Sequence, residues 1–339
     1  MADLSTTWLG VPLRSPLVVA ASPLSRDPSA IAAAVNAGAG AVVMHSLFEE
    51  QLIHEQMGAH RFVDTRTDLD AEARSVLPAA SILSMDAEPY LFELGRLRET
   101  VDVPIVASLN GATPGGWTSY AQRLESAGAS ALELNLYDLA TSPEESGAAV
   151  ELRQLEVVKS VVSAVTVPVT VKLSVFYASL PSFVQRLEQS GVRGVAVFNR
   201  YYEPDINLDA LDVDRTLALS TPAELPLRLH ALALLSVHSD LSLACTGGVH
   251  SGLDAAKAVL CGAHVVQLAS VLLERGPQHI GVIRAELAGW LDGKGYRSSA
   301  EARGVLNLRS APDPQAWERL NYTRMLEGFR ARDSWRRIP

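Results

Sequence analysis

The chain has 339 residues, 48% of them hydrophobic, and a formal net charge of −9. That length can bury a full core as one α/β barrel or as two smaller domains, while the acidic balance argues against a nucleic-acid surface and gives no reason to expect a membrane one. No run approaches the roughly 18 apolar residues of a membrane helix, and Met1-Ala2-Asp3-Leu4 carries an acid where a secretory signal would carry a base, so a soluble, cytoplasmic protein is expected; the two cysteines, Cys245 and Cys261, exclude a disulfide framework or an iron–sulfur cluster within the chain.

Leu17 to Ala21 reads as a short apolar strand, followed by a helix from Pro28 to Ala37 closed by Gly38, and by a strand from Ala41 to Met44. Phe48 to about Arg98 is irregular and becomes helical only around Pro89 to Thr100, a length that suits a lid or an interaction surface. From Val103 the chain alternates regularly. Strands are expected at Ile105–Leu109, Ala131–Leu136, Val169–Ser174, Gly194–Phe198, Ser242–Thr246 and His264–Leu268. Helices are expected at Thr118–Ala127, Glu151–Val165, Leu180–Ser190, Pro222–Val237, Gly252–Leu260 and Gln278–Leu291, with a second long loop from Arg200 to about Thr221. Eight strand–helix units of this length predict a (β/α)8 TIM barrel over residues 1–294, with long loops after strands 2 and 6. An open doubly wound sheet is the alternative, but no GxGxxG follows the first strand. Residues 295–339 read as a tail whose one helix, Pro314 to Phe329, would pack on the barrel or on a neighbouring subunit.

In such a barrel the C-terminal ends of the strands share one face, and that face holds the active site. It would carry Ala20, Ala21 and Ser22, His45 and Ser46, Asn110, Asn135, Lys172, Asn199, Gly247 and Gly248, and Ala269 and Ser270. A glycine pair after the seventh strand and small residues after the eighth suit a phosphate group approached by backbone N–H. Asparagines donate and accept at once, which fits the alternating C=O and N–H edge of a flavin. Lys172 is one of only four lysines and sits inside an apolar strand. Beside the flavin edge that becomes negative on reduction, its ammonium would contribute a Coulomb term of order 4 kcal/mol at about 4 Å and an effective dielectric near 20. A buried pair with a carboxylate such as Glu133 is the plainer reading, and a Schiff-base lysine is the sharper one.

These residues resemble the FMN-dependent dihydroorotate dehydrogenases and the related flavin barrel of dihydropyrimidine dehydrogenases, from Ser15-Pro16-Leu17 to Gly295-Tyr296. The resemblance is carried by Glu133-Leu134-Asn135-Leu136, Val171-Lys172-Leu173, Thr246-Gly247-Gly248-Val249, Cys261-Gly262-Ala263, Gln267-Leu268-Ala269-Ser270 and Gly276-Pro277. It implies that Ala20, Ala21, Ser22, Ser46, Asn110, Asn135, Lys172, Gly247, Gly248, Ala269 and Ser270 hold FMN, with Asn199 facing the substrate. The departures fall where catalysis would be. The family's Asn-Leu-Ser-Cys-Pro-Asn becomes Asn135-Leu136-Tyr137-Asp138-Leu139-Ala140, which puts Asp138 at the base position and Ala140 at that of a substrate-binding asparagine. His45 stands where a second lysine is expected, and no Gly-Leu-x-Asn segment is visible from Ser81 to Tyr90.

The expected catalytic residues are therefore Asp138, Lys172 and Tyr137, with His45, Asn199 and Arg200 on the substrate, Arg200 offering a planar fork to a carboxylate. An unperturbed aspartate, with a pKa near 3.9, needs burial to serve as a base. His45, Glu50, His54, Glu55 and His60 lack the HExxH order, and no metal is expected. The whole implies an FMN-dependent oxidoreductase acting on a CH–CH bond of a small polar substrate other than dihydroorotate, in a homo-oligomer, with a redox partner protein as a further expectation. A catalytically altered electron-transfer or assembly subunit and a non-redox Schiff-base lyase are the alternatives.

Overall fold

The computed structural model describes residues 1–48, 87–110, 114–137, 140–201, 204–214, 217–318 and 320–328. Eight parallel strands close into a barrel: β3 (Leu17–Val19), β4 (Ala41–Phe48), β5 (Ile105–Asn110), β6 (Ala131–Asn135), β7 (Val169–Leu173), β8 (Gly194–Val197), β11 (Ser242–Thr246) and β12 (Val265–Leu268). The strands are β-branched and short because both their faces are buried. Side chains alternate across each strand. Leu132 and Leu134 on β6, Val169, Val171 and Leu173 on β7, and Val266 and Leu268 on β12 pack outward into the large core shared with the helices. The intervening residues face the barrel axis. At its base these are Val18, Val43, Val106, Ala131, Ala196, Ala244 and Val265. Higher up, the same alternation brings Ser108, Glu133, Lys172 and Gln267 inward, all buried.

The helices that cover the barrel are α1 (Pro28–Asn36), α2 (Glu88–Thr100), α3 (Pro114–Ser126), α4 (Gly147–Ala164), α5 (Leu180–Gln189), α6 (Leu225–His238), α7 (Gly252–Leu260), α8 (Ser270–Arg275) and α9 (His279–Gly293). Three of them begin at a residue whose side chain caps the first turn: Asp27 accepts from Ser29 N, Ser146 from Ala149 N and Ser251 from Asp254 N.

Three features depart from the sequence expectation. A hairpin of β1 (Thr6–Trp8) and β2 (Val11–Leu13) precedes the barrel and inserts Trp8, Leu9 and Leu13 into the apolar base of its interior. The second long loop contains another hairpin, β9 (Asp205–Asn207) and β10 (Asp212–Asp214), whose residues are exposed apart from a half-buried Asp214. The single tail helix is broken: a 3-10 turn (Pro314–Trp317) ends at Glu318 in extended conformation before α11 (Leu320–Gly328). The break lets Trp317 turn onto the barrel helices, where its carbonyl meets His230 Nε2 at 3.0 Å. A short helix, α10 (Ser299–Ala302), precedes that stretch, and Leu306 N and Leu308 N then bond to Leu260 O and Ala233 O. Tyr322, Met325 and Leu326 of α11 are exposed.

Candidate active site

Two adjoining cavities open at the C-terminal ends of the barrel strands. The smaller, about 210 Å³, lies among Ala20, Ala21, Ser22, Lys172, Gln267, the Thr246–Gly248 loop, Ala269 and Ser270. The larger, about 480 Å³, is bounded by His45, Ser46, Asn110, Asn135 and Tyr137. Ala21, Ser22, Lys172, Asn199 and Arg200 line both and form the wall between them. The expected site residues thus gather at one mouth. The exception is Asp138, which lies outside the described residues, as do Glu50, His54, Glu55 and His60.

The strands set each position. β4 runs four residues longer than its sequence pattern suggested, and its register against β5 shifts between Val43 and Ser46. A shift of this kind breaks strict alternation, so consecutive residues, His45 and Ser46, both face the larger cavity. Ser46 Oγ lies 2.8 Å from Ser108 Oγ. His45 Nδ1 is 3.0 Å from Ser25 Oγ, and its ring tilts against Tyr90 at 5.0 Å between centroids. Burial, with the nearby Arg26 charge, holds the His45 imidazole down to about 4. The ring is neutral at pH 7, so its 3.7 Å separation from Glu93 Oε2 is not an ion pair there.

Lys172 does not stand alone. Its Nζ donates to Glu133 Oε1 at 2.8 Å, and Glu133 Oε2 accepts from Gln267 Nε2 at 2.8 Å. Glu133 has no exposed surface. The ammonium expected to act as an uncompensated charge is therefore compensated, and the plainer reading of Lys172 holds for one side of it. The other side still faces both cavities. Next to it, Asn199 Nδ2 donates to Asn135 Oδ1 at 2.6 Å, locking two of the rim asparagines together.

Arg200 is also engaged: Nη1 donates to Glu224 Oε1 at 2.8 Å. Glu224 holds a second guanidinium, that of the buried Arg228, whose Nε reaches Thr246 O at 3.1 Å. Burial opposes ionisation of Glu224, yet its bonds from Arg200 and from Thr221 N keep it below the usual carboxylate range. Two arginines share one carboxylate, so this group of three described residues carries a net positive charge.

The turn after β11 is built for close approach. Gly247 and Gly248 have φ of 88° and 78°, and a Cβ at Gly248 would sit 2.7 Å from Leu225 N. Ser220 ties this turn to the next strand end, since its Oγ accepts from Gly248 N at 3.2 Å and donates to Ser270 Oγ at 2.8 Å. Two buried polar atoms at the mouth have no partner among the described residues, Ser22 Oγ and Gln267 Oε1. Burying an unmatched polar atom is costly, and both belong to residues that line the smaller cavity. Such atoms, with a glycine turn that no side chain fills, suit a polar ligand such as a flavin nucleotide.

A sequence model of the dihydroorotate dehydrogenase family matches residues 3–291. The chain belongs to the dihydroorotate dehydrogenase family. Among its relatives, the putative dihydroorotate dehydrogenase A (fumarate) of Aeropyrum pernix is 29% identical over 62% of this chain and 70% of its own. The catalytic subunit of dihydroorotate dehydrogenase B (NAD(+)) of Pyrococcus horikoshii is 26% identical over 89% of this chain and 97% of its own. The chloroplastic dihydropyrimidine dehydrogenase (NADP(+)) of Arabidopsis thaliana is 27% identical over 89% of this chain and 76% of its own.

Within this family frame, Tyr137 borders the larger cavity, two residues beyond Asn135, whose carbonyl accepts its N–H at 3.1 Å. Several residues in and behind the mouth were given no role by the sequence reading: Gln267, although it stands in a motif that carries the resemblance, and Arg228, Glu224, Ser220 and Tyr90. Gln267 was detectable, because a glutamine inside Val265–Leu268 breaks an apolar strand as Lys172 breaks its own. Ser220 carried no such signal, being one serine of a loop brought to Ser270 across 50 residues. The two cysteines stay inert, since burial pushes both thiols up to about 12. Among the described residues no group of three or more His, Cys, Asp or Glu could hold a metal, and no helix is long and apolar enough to cross a membrane.

Proposed function

We propose that this chain is an FMN-dependent oxidoreductase acting on a CH–CH bond of a small polar substrate other than dihydroorotate. The observation that carries the reading is the pair of cavities with one shared wall, the smaller suited to the phosphate end and one ring edge of a flavin nucleotide and the larger to the rest of the ring and to its substrate. Gly247, Gly248, Ala269 and Ser270 would hold the phosphate, and Ala20, Ala21, Ser22, Ser46, Asn110, Asn135 and Lys172 the ring system. Bound there, FMN would supply an acceptor or donor of two electrons.

The remaining work belongs to side chains. Asn199 and Arg200 would orient the substrate in the larger cavity. Asp138 or Tyr137 would carry the substrate proton, and neutral His45 would offer a hydrogen bond where a lysine would have offered charge. That exchange, together with Ala140 in place of an asparagine, is why dihydroorotate is set aside. The barrel over residues 1–294 would be the catalytic domain and residues 295–339 an appended tail. A homo-oligomer and a redox partner are part of the proposal, supported by relatives whose names describe them as catalytic subunits.

The purified protein should be yellow and contain one FMN per chain. A colourless protein that FMN cannot reconstitute would overturn the reading. Anaerobic dihydroorotate should leave the flavin absorbance unchanged, and rapid bleaching would overturn the substrate assignment alone.

A further inference from the structure

Strands β6 and β12 lie opposite one another in the eight-strand ring. The bond from Gln267 Nε2 to Glu133 Oε2 therefore spans the barrel, at 2.8 Å. The other carboxylate oxygen takes Lys172 Nζ from the neighbouring strand β7, also at 2.8 Å. An ionised carboxylate accepts and cannot donate. The end of the Gln267 amide that meets Glu133 must therefore be its NH2, which turns the amide oxygen away from Glu133. That oxygen, Oε1, is buried and has no partner among the described residues, and Gln267 lines the smaller cavity with Lys172. An apolar residue of similar volume would remove the unmatched acceptor but leave Glu133 Oε2 without its donor. The strand gains nothing from the oxygen, and a ligand in the cavity would.

We propose that Glu133 is a positioning residue that holds Lys172 as a donor and Gln267 as an acceptor toward the ligand in the smaller cavity, while compensating the charge of the lysine. Gln267 then becomes a cofactor-contacting residue. A donor and an acceptor at the floor of one cavity match a ring edge that presents C=O and N–H side by side. Glu133 never touches the ligand; it acts through the two residues it orients. This rests on the FMN reading given above.

The charge consequence is testable. In the native protein the carboxylate, one hydrogen bond behind the ammonium, offsets part of the field that the lysine projects into the cavity. Replacing the carboxylate by an amide of the same shape, Glu133→Gln, leaves the ammonium uncompensated beside the flavin and favours the more negative, reduced form. The equilibrium for reduction should move at least tenfold toward the reduced side, which for a two-electron couple is a rise of about 30 mV. In a Lys172→Met background the same Glu133→Gln change should produce no rise, because a fully buried carboxylate that has lost its ammonium partner takes the neutral form, so the substitution removes no charge. Gln267→Met, which leaves the Lys172–Glu133 pair in place, should weaken FMN binding about tenfold and change the potential less than Glu133→Gln does.

The experiment is a set of dye-coupled anaerobic redox titrations at pH 6 on wild type, Glu133→Gln, Lys172→Met and the double variant, with FMN affinity from fluorescence quenching for each and for Gln267→Met. If Glu133→Gln does not fold, the affinity of Gln267→Met decides. Wild type that binds FMN, with variants of unchanged potential and affinity, would overturn this inference alone. A potential that rises equally in the Lys172→Met background would also overturn it. Wild type that takes up no FMN would sink the functional reading, and this inference with it.

Discussion

The glycine pair after β11 yields a prediction in which two adjacent residues should behave differently. Both have positive φ, which costs an alanine about 1–2 kcal/mol at either position. They differ in what the new methyl group would meet. At Gly247 the nearest atoms belong to the Arg228 guanidinium, with Nη2 at 3.0 Å, and a side-chain end can give by a few tenths of an ångström. At Gly248 the nearest atoms are Leu225 N at 2.7 Å and Leu225 Cα at 3.0 Å, backbone of the first residue of α6, which can yield only by moving the helix. Forced overpacking of this kind costs about 1–3 kcal/mol more. Gly248→Ala should therefore lose roughly 2–5 kcal/mol and Gly247→Ala about 1–2 kcal/mol. Urea unfolding followed by circular dichroism, with m-values compared, measures the difference. FMN uptake should fall more for Gly248→Ala as well, because its N–H is aligned by Ser220 Oγ at 3.2 Å. A Gly248→Ala protein as stable as Gly247→Ala would refute the claim that the turn is held against the α6 backbone.

Acid sensitivity follows from two histidines. Burial holds both His45 and His264 down to about 4, helped by the Arg26 and Arg303 charges respectively. An unfolded histidine titrates near 6.5, so between about 6.5 and 4 the unfolded chain binds protons that the folded chain does not. Stability should be flat above that window and fall by a few kcal/mol across it; denaturation midpoints at pH 7.5 and 5 that agree in the native protein would contradict this. Arg200→Gln should raise KM for an anionic substrate by about 10- to 100-fold, the loss of one charge-assisted hydrogen bond, with FMN content unchanged. Steady-state kinetics with absorbance-based cofactor counting checks both halves. Asp138→Asn should lower the rate of flavin reduction by about 10²- to 10⁴-fold if its carboxylate is the base, and stopped-flow reduction at wild-type speed would remove Asp138 from that role.

The barrel was legible because its signal is local. β-branched runs such as Val169-Thr170-Val171 and alanine-rich helices such as Gly252–Leu260 repeat often enough to count. The rim was legible for the same reason, since a strand's end places its residue on the C-terminal face whatever the rest of the chain does. The hairpin of β1 and β2 was not. Its strands are three residues each, too short for a period to show, and their place is fixed by Trp8 and Leu9 entering the base of a barrel that does not yet exist when that stretch is considered alone. The two-part tail escaped for a related reason: Trp317 stops the helix by finding a site on the barrel helices.

Lys172 shows where this division falls. The sequence by itself determined that a lysine interrupts an apolar strand, that its position is at the mouth of a barrel, and that glycines and small residues share that mouth. Only the tertiary structure decided what the lysine's charge is worth, because Glu133 and Gln267 are partners from β6 and from the opposite wall, 39 and 95 residues away in the chain. Spacing along a strand encodes which face a side chain takes, whereas closure of the barrel sets which of those faces meet, and electrostatics depends on the meeting.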